Sequence, residues 1–370
     1  MESIEKRTAG GSDPIQQDNP NLDYLRSMAV TMVVVFHLLL YFGPQFHRWD
    51  PEGLLGYAGV LFFFVHTSLV LMFSLNRLSN KFTGSKLFFG FMIRRAFRIY
   101  PLSILAVSAI AIFHLPFGGL SAFTFRPEIV SRLGLTSNLL LTQNLTNTHS
   151  VLGPLWSLPL EMQMYVFLPF LFLLSRRIRS AGPLILVWAG AVAVGYIHQR
   201  FGHMPDLAQY IPCFLPGVIA FKAGEKSKRI FPFFLWPILL FLVAGFLVLV
   251  PRMDACWAAC LVIGLSIPRF KILSSAVLRE GLHLVAKYSY GIYLGHYFCI
   301  WFAFVILHAL PMEVQWLAFF STIIALPMAL FHLLEQPMIN QGSRFVEALF
   351  GRSARATRTT GARTPAGARA

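Results

Sequence analysis

The feature that most constrains this chain is a succession of apolar runs long enough, at about 17 to 25 residues, to cross the hydrocarbon core of a bilayer as helices. Allowing for tilt and a few shorter runs, we place helices at about 22–43, 57–76, 99–117, 151–174, 183–198, 207–222, 231–250, 255–268, 288–308 and 316–335. The fold class expected is therefore an all-α polytopic integral membrane protein with ten transmembrane helices. Composition agrees. Of 370 residues, 56% are hydrophobic and 13% charged, whereas soluble domains carry about 25% charge. A soluble globular protein is excluded. The net charge of +15 does not indicate nucleic acid, because the Lys and Arg lie between apolar runs instead of clustering on a polar domain surface. The four cysteines, Cys213, Cys256, Cys260 and Cys299, have no spacing typical of a disulfide framework or metal site.

An even number of spans puts both ends on one side. With the N-terminus inside, only Arg48, Arg126, Arg132, Arg200 and Arg252 of the 31 basic residues face outward, as the positive-inside rule requires. Both termini are then cytoplasmic and the protein is a multi-pass protein of the cell membrane. Residues 1–20 are polar with Gly and Pro, and the run after them is too long for a signal-peptide core, so they read as a disordered cytoplasmic tail. Residues 21–340 form the membrane domain. Residues 341–370 are basic, with an Ala/Arg/Thr/Gly end, and are expected to be a disordered cytoplasmic tail on an anionic leaflet. The longest outer loop, about 115–151, is rich in Ser, Thr and Asn and is expected to shape a binding site.

A charged residue at membrane depth costs about 2.5 to 3.5 kcal/mol on insertion scales, so each one is a functional candidate. Arg26 and His37 lie eleven residues apart on the first helix. That step returns to within about 20° of the same face, about 16 Å further along the axis. Arg26 also fits a positive-inside anchor, and His37 a helix-contact histidine. A buried neutral histidine is apt as a general base or acyl carrier. Arg95 and Arg98, three residues apart, face together and suit phosphate, although topology alone also accounts for them. Glu161 is the one acidic residue well inside a span; it could orient a histidine or hold an Arg. His66, His296 and His332 complete the intramembrane histidines. No His pair at i,i+4 appears, so no metal site is expected.

Taken together, five segments resemble the acyltransferase 3 family of integral-membrane O-acyltransferases. They are Asn21-Leu22-Asp23-Tyr24-Leu25-Arg26 through His37, Arg94-Arg95-Ala96-Phe97-Arg98-Ile99-Tyr100-Pro101, and Leu155-Trp156-Ser157-Leu158-Pro159-Leu160-Glu161 to Tyr165. Tyr288 through His296 and Leu334-Glu335-Gln336-Pro337 follow in the same order. The resemblance implies a cytoplasmic acyl-CoA donor, with acetyl-CoA expected, and O-acetylation of a hydroxyl on a glycan, lipid or metabolite. It implies catalytic roles for Arg26 and His37, donor binding by Arg95 and Arg98, and supporting roles for Glu161 and His296. After Gly59 to Val65, members usually continue Ser-Gly-Phe, but this chain has His66-Thr67-Ser68. That departure makes His66 a candidate acceptor-site residue, alongside His296. Two other readings stay open: a transporter moving a sugar or metabolite along the same polar track, and an inactive scaffold.

Overall fold

A computed structural model describes residues 19–43, 53–115, 130–202 and 206–360, without side-chain detail for 352–360. Residues 1–18, 44–52, 116–129, 203–205 and 361–370 lie outside it, and with them most of the expected N-terminal tail, part of the long outer loop, Arg48 and Arg126. Among the described residues the elements are helical, apart from one isolated bridge between Phe231 and Phe270. In order they are α1 (Pro20–Phe42), α2 (Leu54–Ser79), α3 (Gly84–Phe113), α4 (Arg132–Leu140), α5 (Ser157–Arg177), α6 (Gly182–Phe201), α7 (Leu207–Gly224), α8 (Leu235–Leu249), α9 (Met253–Ser266), α10 (Ala276–Ile300), α11 (Met312–Leu330) and α12 (Gln336–Thr360). A 3-10 turn at Gly153–Trp156 leads into α5, and π-helical turns at Trp301–Ile306 and Phe331–Glu335 follow α10 and α11.

Every segment placed from the sequence overlaps a described helix, and among the described residues eight helical stretches are long and apolar enough to cross a membrane. The two others, α8 and α9, have 15 and 14 residues. Three boundaries move. Helix α3 starts at Gly84, so the stretch with Arg95 and Arg98, expected at the end of an inner loop, lies deep in a continuous 30-residue helix. Helix α10 starts at Ala276, twelve residues before the apolar run, and its first three turns carry Arg279, Glu280, His283 and Lys287, which interrupt the apolar pattern there. The disordered tail expected from residue 341 is instead helical as far as Thr360. Its cause was visible but outweighed by the basic residues: Gly342, Val346 and Phe350 recur every four residues and form a stripe. That stripe packs on α3 and the turn before it, where Gly342 meets Phe97, Val346 meets Gly90 and Phe350 meets Phe82.

Helix α1 starts on Asn19, whose side chain accepts the backbone N–H of Asn21 at 3.1 Å, with Pro20 in the first turn where its missing N–H is not needed. At the centre, α2 packs against α1 and α7. Helix α7 carries Pro212 and Pro216. Pro216 has no N–H to bond the carbonyl of Pro212, and the Trp188 indole donates to that oxygen at 3.0 Å instead. Gly217 lets α7 approach α2 so closely that a Cβ would collide with the Ser68 side chain and the backbone of Val65 and Leu69. On the periphery, α6 buries only Leu184 and Gly195 and turns Leu186, Val187, Val194 and Ile197 outward, as a lipid-facing helix does.

Candidate functional site

A cavity of about 380 Å³ lies among α1, α2, α3, α5, α10 and the start of α12. Its mouth is at the end of the bundle where α1, α3 and α10 begin. There Asp23 meets His283 at 3.1 Å, and Lys287 sits over the Tyr288 and Phe331 rings. Arg77 from the end of α2 and Gln336 and Ile339 from α12 complete the rim. Val60, Phe63, Ser157 and Tyr293 also line the cavity.

The wall brings together Arg26, His66, Arg95, Arg98 and Glu161, five of the residues singled out from the sequence, from four different helices. Helix phase decides which arginines take part. Arg95 and Arg98, one turn apart on α3, face inward, and Arg95 also lies over the Phe91 ring at 5.8 Å. Arg94, one residue away, turns toward α12 and stands 3.9 Å from Glu347. Five cationic side chains line the cavity (Arg26, Arg77, Arg95, Arg98 and Lys287) against two carboxylates, Asp23 and Glu161. Arg26 Nε and Arg95 Nε are buried without a hydrogen-bond partner among the described residues. Glu161 lies within electrostatic reach of Arg26, Arg98 and Arg95, but none of these is within ion-pair distance, and its carboxylate accepts a short hydrogen bond from Tyr165. A concave wall with excess fixed positive charge and undercommitted guanidiniums suits an anion bearing several phosphates. Among the described residues, no group of three His, Cys, Asp or Glu side chains is placed to hold a metal ion.

His37 and His296 are not on that wall. They meet each other, His296 Nε2 standing 3.1 Å from His37 Nδ1. His37 is wedged among Phe36, His296 and Tyr297, with ring centroids 4.7 to 4.8 Å away. Tyr293 separates the two clusters: it lines the cavity, and its ring centroid is 6.4 Å from that of His296. The Tyr293 hydroxyl donates to Pro154 O at 2.8 Å and takes a hydrogen bond from Ser157 Oγ at 2.8 Å. On the next turn of α10, the Tyr297 hydroxyl fills the space that a Cβ on Gly153 would need. Glu161 therefore shares a chamber with Arg26 and His66, while His37 has His296 for its neighbour. His66 lies within electrostatic reach of Arg26 and Arg98. His332 is bonded to the Tyr288 hydroxyl at 3.1 Å.

Some site residues were missed from the sequence. His283 lay before the apolar run that marked α10, so nothing assigned it to a helix. Tyr293 and Ser157 sit inside quoted motifs, but a hydroxyl among aromatic residues carries no signal of depth. Glu335 is 2% exposed, has no hydrogen-bond partner for either carboxylate oxygen among the described residues, and lies within electrostatic reach of Arg98 and Arg26. Its signal was there, a carboxylate at the end of an apolar run.

No curated protein and no solved structure matches the chain. A family model does: that of the acyltransferase 3 family, described as an acyltransferase domain, matches residues 19–332, from the cap of α1 to the turn after α11. With that match spanning all the apolar helices and four of the five motifs in full, the chain belongs to the acyltransferase 3 family, as a membrane acyltransferase.

Proposed function

We propose that this protein transfers an acyl group, with acetyl expected, from acyl-CoA to a hydroxyl of a glycan, lipid or metabolite. The observation that carries the reading is the cavity, with five cationic side chains against two carboxylates at the end where α1 begins. In this reading that end is cytoplasmic, and Arg26, Arg95 and Arg98 hold the donor's phosphates or its thioester carbonyl. The thioester reaches toward Tyr293. His37 Nε2 takes the proton of the acceptor hydroxyl, and the hydroxyl oxygen bonds to the thioester carbon. The carbon–sulfur bond then breaks, and the departing thiolate takes the proton back from His37. Developing charge on the carbonyl oxygen is met by the nearby guanidiniums.

One observation favours a second version of the same reaction: His66, and not His37, is on the cavity wall. In that version His66 takes the proton and His37 serves structure.

The test is transfer of label from radioactive acetyl-CoA by the protein purified in detergent, with an extract of the producing cells as acceptor. Label should appear in a glycan, lipid or metabolite fraction. His37→Ala should lower the rate at least 100-fold, while His66→Ala retains transfer; the reverse pattern moves the base to His66. Movement of an unmodified solute with no dependence on acyl-CoA would make the protein a transporter and end this reading.

A further inference from the structure

The histidine pair beyond the cavity carries information that neither ring carries alone. His37 Nδ1 stands 2.8 Å from Val33 O, and His296 Nδ1 stands 3.1 Å from Ile292 O. Each oxygen belongs to the residue one turn earlier on the same helix. A backbone carbonyl can only accept a hydrogen bond, so each Nδ1 carries the ring's proton. A neutral imidazole has one N–H, so the lone pair of each ring is on Nε2. The His296 lone pair then points at His37 Nδ1 from 3.1 Å, and the proton there is shared between Val33 O and His296 Nε2. The other tautomer of His37 would set its Nδ1 lone pair against the lone pairs of both neighbours, leaving three acceptors and no proton between them.

From this geometry we infer that His296 is a positioning residue, which together with the Val33 carbonyl holds His37 in the tautomer whose Nε2 can take a proton. The inference rests on the reading in which His37 is the base. It gives His37 the third partner that a base of this kind requires. The sequence offered Glu161 for that part, but Glu161 is bonded to Tyr165 on the cavity wall, which His37 does not line. His296 is fully buried and absent from the cavity wall, so it has no part in holding a donor in that cavity.

The test compares two substitutions of similar size: His296→Gln, whose side-chain oxygen can still accept from His37, and His296→Met, which offers only a weak acceptor. Rates are read with acetyl-CoA at varied concentration and a fixed amount of cell extract as acceptor. We expect the Met variant to lose about 100-fold in apparent kcat, the scale of general-base catalysis. Its KM for acetyl-CoA should stay within two-fold of the parent, and the Gln variant should recover at least ten-fold of the lost rate. Equal losses in both variants, parental rates in the Met variant, or failure of both to fold would overturn the inference and leave His296 a packing residue. His37→Ala, measured in the same series, separates the two claims. If it stays active, the base reading fails and the inference with it. If it is inactive while the Met variant is not, the inference alone fails.

Discussion

At the residue scale, the difference between Arg94 and its neighbours is the sharpest handle on the site. Arg95 and Arg98 face the cavity, whereas Arg94 faces Glu347 on α12. A charge-assisted hydrogen bond contributes about 1.5 to 3 kcal/mol, or about ten- to more than 100-fold in binding. Arg95→Gln or Arg98→Gln should therefore weaken binding of coenzyme A by at least ten-fold in calorimetry on the purified protein, and Arg94→Gln by less than two-fold. Equal losses at all three positions would mean that the cavity is not the donor site. Tyr165 is a second handle, because its hydroxyl donates to a carboxylate that has no ion pair within reach. Tyr165→Phe leaves that oxygen unsatisfied and should cost about 1 to 3 kcal/mol, seen as a lower unfolding temperature in detergent.

At the scale of elements, the site depends on two close helix contacts. Gly217 places α7 against α2, the helix that carries His66, and the atoms a Cβ would strike there include main-chain atoms that cannot rotate away. Gly217→Leu should cost at least about 1 to 3 kcal/mol and reduce the folded yield. On α3, Gly342 of α12 lies against Phe97, one residue before Arg98. Gly342→Leu should push α12 outward and raise the KM for acetyl-CoA before it affects the unfolding temperature. At the start of α9, Asp254 accepts two hydrogen bonds from Arg252, at 3.1 and 2.8 Å, which hold its carboxyl below the usual carboxylate range. A carboxyl lowered in the folded state adds stability above its unfolded pKa and loses it as pH falls through the folded value. This pair is exposed and screened, so Asp254→Asn should leave the unfolding temperature at pH 7 almost unchanged.

At the scale of the whole molecule, Leu22 and Asp23 from the first helix share the cavity rim with Gln336 and Ile339 from the last. The two ends of the membrane domain thus border one cavity, and the expected even number of crossings would put them on one side of the membrane. The expected topology puts that side in the cytoplasm. Single cysteines at Ser79 and Gln341, in a chain with its four native cysteines replaced, should both resist a membrane-impermeant maleimide on intact cells and react after lysis. Labelling of either on intact cells would invert the molecule and put the arginine cavity outside.

How much of this was legible in the sequence follows from the range of the forces involved. Apolar runs of spanning length declare helices by composition alone, because a bilayer leaves the backbone no other way to satisfy its hydrogen bonds. The polar residues within those runs declare candidates, because each is costly unless something uses or neutralises it. Arg26, His66 and Glu161 stand out in this way, Arg95 and Arg98 by their spacing just before a run, and all five share one wall. What one chain of letters could not decide was partnership. Arg26 and His37 lie on one stripe of α1, yet only Arg26 lines the cavity, with Tyr293 of α10 between that wall and the histidine pair, and it is α10, 259 residues away, that brings His296 to His37. Helical phase is a local property and can be read from spacing. Contact between helices depends on which small residues let them approach, and that is settled only when the bundle is packed.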